Sequence, residues 1–77
     1  MKSVKYDGRE VEYSHEAVHS WSVQRRIARG GSDAFDAIDA ILGGRADEVA
    51  EELGGSMEAM SALMDAIAEA EGADAKN

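Results

Sequence analysis

The chain has 77 residues with no cysteine and no proline, and 16 acidic against 8 basic side chains give a formal net charge of −8 at pH 7. A chain this short forms one domain at most and buries only roughly 60% of the surface its unfolded form exposes; without cysteine it has no disulfide staple, thiolate metal site or thiol nucleophile. The charge is unevenly divided, six basic and four acidic side chains in residues 1–30 against two basic and twelve acidic in residues 31–77, so the C-terminal part repels a phosphate backbone and nucleic acid is not the expected ligand.

The chain opens on a hairpin signal. In "VKYDGREVEY" the pair Asp7-Gly8 separates two alternating runs, and an Asp-Gly pair suits the two-residue turn whose central residues both need positive φ. That turn pairs Tyr6 with Arg9, Lys5 with Glu10 and Val4 with Val11. Val4, Tyr6, Val11 and Tyr13 then share an apolar face, opposite Ser3, Lys5, Glu10 and Glu12. A lone hairpin is marginal in water, so its apolar face must pack on helices.

Next comes "SHEAVHS", Ser14 to Ser20, which contains H-E-x-x-H. On a helix that spacing puts His15 and His19 on one face, where both imidazoles can meet one zinc ion, and Glu16 could take a proton from bound water. The longer zinc-protease form needs Gly at position 22 and His at 25; the chain has Ser22 and Arg25, and no third histidine. Glu48 or Glu51 could complete a site, but an acidic helix always offers such candidates. The expectation is therefore no metal, no cofactor and no catalytic residue, with a small zinc hydrolase through His15-Glu16-Ala17-Val18-His19 as the alternative. No nucleophile elbow is present either, and the expectation is that the protein is not an enzyme.

A helix ending at Arg29 follows, with Ser14 and Ser20 both suited to cap its start. Its last turns carry Arg25, Arg26 and Arg29, which complement the negative helix C-terminus; a small nucleic-acid-binding regulator using these arginines is a second alternative. Gly-Gly recurs at 30–31, 43–44 and 54–55. No phosphate-loop spacing accompanies any of these pairs, so they read as helix stops, with Ser32 and Ser56 as the caps that follow the first and third. The second helix spans about Asp33 to Leu42, with Phe35, Ile38, Ile41 and Leu42 on one face and Asp33, Asp36 and Asp39 on another. The third spans about Ala46 to Leu53. The fourth spans about Met57 to Glu71 and carries the stripe Met57, Met60, Leu63, Met64 and Ile67. Methionine adapts to varied partners, so this stripe is either core or a contact surface.

These elements predict an α+β fold, an N-terminal β-hairpin followed by a small bundle of three to four short helices. Residues 1–71 form the single domain and residues 72–77 a disordered tail. About twenty large apolar residues, Trp21 and Phe35 among them, support one small core, and a core of this size supplies about 3–5 kcal/mol. A protein partner or self-association is therefore expected. No apolar run approaches the roughly 20 residues that span a bilayer, and residues 1–14 are too polar for a signal peptide. With no cysteine, the expected compartment is the cytoplasm.

The layout resembles the short tail assembly chaperones of long-tailed, siphovirus-type bacteriophages and prophages. The resemblance rests on "KYDGREVEY", on Trp21, Val23 and Gln24 followed by Ile27-Ala28, on the acidic helix ending "AILGG", and on "ADEVAEELGG" followed by "SMEAM". It covers Lys2 to about Ile67 and is one of layout more than of identity. It implies a mostly helical, non-enzymatic protein of the host cytoplasm that coats the helical tape-measure protein and recruits tail-tube subunits. Under it, Trp21, Met57, Met60 and Met64 would be contact residues.

Overall fold

The computed structural model describes residues 1–75. Strands β1 (Lys2–Tyr6) and β2 (Arg9–Tyr13) form an antiparallel hairpin, followed by helices α1 (His15–Val18), α2 (Trp21–Arg29), α3 (Gly31–Ile41), α4 (Ala46–Glu52) and α5 (Met57–Ala75). This is the α+β architecture expected. The register is also the expected one, Val4 with Val11, Lys5 with Glu10 and Tyr6 with Arg9. Asp7 and Gly8 turn at φ +54° and +75°, which matches the right-handed twist of the two strands.

The helix expected from Ser14 or Ser20 to Arg29 is two helices, because both serines cap. Ser14 Oγ accepts the Ala17 N–H at 3.1 Å and starts α1; Ser20 Oγ accepts the Val23 N–H at 3.4 Å and starts α2. The Ser14 N–H donates to the Ile41 carbonyl at 2.8 Å, fixing the hairpin-to-helix junction against the end of α3. All three glycine pairs stop helices as expected; Gly30 ends α2, its N–H donating to the Ile27 carbonyl at 3.1 Å. The Gly44 N–H reaches back to the Asp39 carbonyl and that of Gly55 to the Ala50 carbonyl, both at 2.8 Å, with both glycines at positive φ, the arrangement that satisfies orphan carbonyls at a helix end.

Caps differ from expectation at two places. Helix α3 starts at Gly31 with Gly30 as its N-cap, so Ser32 lies inside the first turn and caps nothing. Helix α4 has no cap from its own N-cap residue Arg45; the Asp39 carboxylate reaches across from α3 and accepts the Ala46 N–H at 3.1 Å. Ser56 does cap α5, accepting the Ala59 N–H at 3.1 Å. Helix α5 continues to Ala75, past the Glu71 expected as its end. The remainder of the tail expected to be disordered, residues 76–77, lies outside the described residues.

The core consists of Val11 and Tyr13 from the hairpin, Val23, Ala37, Ile41, Leu42, Val49, Leu63 and Ile67, all buried. Trp21 and Phe35, counted toward the core from sequence, are instead 81% and 57% exposed. The inward stripe of α3 is Ala34, Ala37, Ile38 and Ile41, spaced three and four apart, and Phe35 falls one residue off it. No helix among the described residues is long and apolar enough to cross a membrane.

Candidate functional site

Helix α5 extends its inward stripe by one more turn, from Met60, Leu63, Met64 and Ile67 to Glu71, which is 2% exposed. A buried carboxylate persists only when hydrogen-bonded and paired, and Glu71 draws partners from both ends of the N-terminal segment. The Tyr13 hydroxyl donates to Oε2 at 2.6 Å. Lys2 sits in phase with Val4 and Tyr6 on the inward face of β1 and places Nζ 3.4 Å from the same oxygen. The other oxygen, Oε1, receives His15 through Nδ1 and His19 through Nε2, the latter at 2.8 Å.

Helix α1 sets up this convergence. It is a single turn, closed by the His19 N–H donating to the His15 carbonyl at 3.3 Å. Residues four apart therefore stack on one face, and the two rings lie 4.7 Å apart, tilted by 56°. The H-E-x-x-H spacing does bring His15 and His19 together, and Glu71 is the third group beside them. Glu48 and Glu51, the sequence candidates, are on α4 and are not part of this cluster. Glu16 is exposed.

Burial pushes the Glu71 carboxyl upward. Hydrogen bonds from Tyr13, His19 and His15, with the nearby His15 charge, outweigh that and lower it from 4.5 to about 2. The ionised carboxylate can only accept, so its contacts require a proton on His15 Nδ1 and on His19 Nε2. A carboxylate whose pKa is lower folded than unfolded contributes stability that is fully present above 4.5 and lost as pH falls towards about 2. Urea denaturation at steps from pH 5 to pH 2.5 should show wild-type protein losing stability faster than Glu71→Gln, which lacks this titration. Parallel curves would show that Glu71 is not the group responsible.

On another face, the side chains of α2, α3, α4 and α5 enclose an open groove of about 810 Å³. Its apolar lining includes Ile27, Phe35, Ile38, Met57, Met60 and Met64. Ile27, Phe35 and Met57 are 39%, 57% and 59% exposed. Asp36, Asp39, Asp47 and Asp65 also line it, with no basic side chain among the described lining residues. Of the expected contact residues, Met57, Met60 and Met64 come together here, while Trp21, at the start of α2, lies outside the lining. Met60 and Met64 also pack on the core, so the methionine stripe is half core and half surface.

Of the three arginines on α2, Arg29 pairs with Asp33 at 3.5 Å, four residues on. Exposed pairs of this kind contribute about 0.3–0.5 kcal/mol. Compared with known protein families, curated proteins and solved structures, the chain matches none.

Proposed function

We propose that the protein is a non-enzymatic helical interaction module whose groove takes an apolar helix with basic flanks from a protein partner. The observation that carries this is the clustering of exposed Ile27, Phe35 and Met57 in one acid-lined groove. Exposed apolar surface gathered in one place marks contact sites, and amphipathic helices dock in such grooves through side chains three and four residues apart. Four aspartates with no basic side chain among the described lining residues favour lysine or arginine on the incoming helix and disfavour acidic competitors.

Within that class, the reading is a phage tail assembly chaperone acting in the bacterial cytoplasm, with the tape-measure and tail-tube proteins as partners. Its support is the sequence layout together with a groove able to shield apolar helices of a long partner while the acidic surface keeps the complex dissolved. Co-expression and pull-down with these two proteins tests it. Capture of either is expected, and capture of neither overturns the assignment. Phe35→Asp is expected to weaken the captured complex at least tenfold with an unchanged far-UV circular dichroism spectrum, since the side chain is already more than half exposed. Equal capture by wild type and variant would remove the groove as the contact surface. Gel filtration of the isolated chain separates partner binding from self-association, for which the proposal expects a monomer.

A further inference from the structure

We propose that His15, His19 and Glu71 form a binding site for one divalent transition-metal ion of the zinc, cobalt and nickel class. Their ligating atoms lie within 4.8 Å of one another. In a tetrahedral site with metal–ligand bonds of about 2.0–2.1 Å, neighbouring ligand atoms stand roughly 3.3 Å apart. Small side-chain rotations outward from the present contacts make that room, with no backbone rearrangement.

The donor set selects the class of ion. Two imidazoles and one carboxylate suit zinc and its neighbours, whereas calcium and magnesium prefer all-oxygen sites. The surroundings are those of a supported ligand. Both histidines address Oε1, and Oε2 is held by the Tyr13 hydroxyl at 2.6 Å and by Lys2 at 3.4 Å. A ligating carboxylate oriented through its second oxygen is the usual arrangement around a protein-bound metal, and removing such supports costs about 10–100-fold in affinity. The carboxylate is buried while both histidine side chains are 48% exposed, so an ion can enter from solvent and water can fill the fourth position. On binding, His15 Nδ1 and His19 Nε2 carry lone pairs to the ion in neutral rings protonated on the other nitrogen, and a ring that was imidazolium releases one proton to solvent.

The consequence for the protein is a clasp. The ligands are 52 and 56 residues apart in sequence, so one ion ties α1 to the far end of α5. Bound to the folded state only, it stabilises by RT ln(1 + c/Kd) at free ion concentration c, so the melting temperature keeps rising with the logarithm of ion concentration above Kd.

The test uses the full chain without a histidine tag. Isothermal titration with Zn²⁺ is expected to give one site per chain, with a rise in Tm that Ca²⁺ and Mg²⁺ do not reproduce. Co²⁺ should give a visible absorption band, and Zn²⁺ should shift the imidazole NMR signals of His15 and His19 in the wild-type protein. Replacing His19 (His19→Gln) or Glu71 (Glu71→Gln) should lower the affinity at least tenfold. Zn²⁺ binding that leaves both imidazole signals unmoved, or no binding at all, overturns the proposal. The imidazole readout needs only wild-type protein, so it decides the matter even if a variant fails to fold. It is independent of the groove, so loss of either reading leaves the other standing.

Discussion

Glu71→Ala is expected to remove a large share of the protein's stability at 25 °C. The substitution removes the acceptor that the Tyr13 hydroxyl reaches at 2.6 Å and the common partner of His15, His19 and Lys2. The charged partners left behind are 43–48% exposed and can turn to water, so the loss is chiefly that of the buried Tyr13 hydroxyl's acceptor, about 1–3 kcal/mol, against the roughly 3–5 kcal/mol that a core of this size supplies. Tyr13 is itself 2% exposed, so its hydroxyl cannot simply turn to water. Glu71→Gln keeps an acceptor in place and should be milder. The double variant Tyr13→Phe with Glu71→Leu should recover part of the loss, because apolar replacement of both members of a buried polar pair is often close to neutral. Urea denaturation followed by circular dichroism reads all three. A Glu71→Ala midpoint equal to wild type would mean that the cluster does not hold α5 to the hairpin.

Leu63→Ala should destabilise by about 2–5 kcal/mol, through lost transfer energy and the cavity left behind. Leu63 is 0% exposed in the centre of α5. Met57→Ala on the same helix, at 59% exposure, should stay within about 0.5 kcal/mol of wild type. The two sites belong to one amphipathic stripe in sequence, so the contrast distinguishes its buried part from its groove-facing part. Similar losses from both would place Met57 in the core and remove it from the groove.

What the sequence made legible follows from how local the determinants are. The hairpin register rests on Asp7-Gly8 and a period-two alternation, both contained in ten residues, and it came out residue for residue. The glycine stops at 43–44 and 54–55 likewise depend on nearest neighbours. The candidate cluster is non-local, and the H-E-x-x-H string supplied only two of its members. Two signals for the rest were present. Glu71 lies four residues beyond Ile67, in phase with the buried stripe, and Lys2 lies two residues before Val4, in phase with the apolar face of β1. A carboxylate and an ammonium each on an inward-facing period imply that they meet. Phe35 was misplaced for the opposite reason. Its size argued for burial, but the stripe through Ala34, Ala37, Ile38 and Ile41 is complete without it, and small alanines on that face let neighbouring elements approach closely.

The link between Lys2 and Glu71 joins residues near the two ends of the described chain, and it has a consequence during synthesis. The hairpin can form as soon as its twelve residues leave the ribosome, on the microsecond timescale of such turns. Its inward face then waits for α5. The turn of α5 that carries Glu71 follows Tyr13 by 58 residues, so this part of the hairpin's inward face is covered only after residues 14–70 have been made. A stalled or prematurely released fragment ending before that turn would expose the same surface permanently, and aggregation or proteolysis is its expected fate.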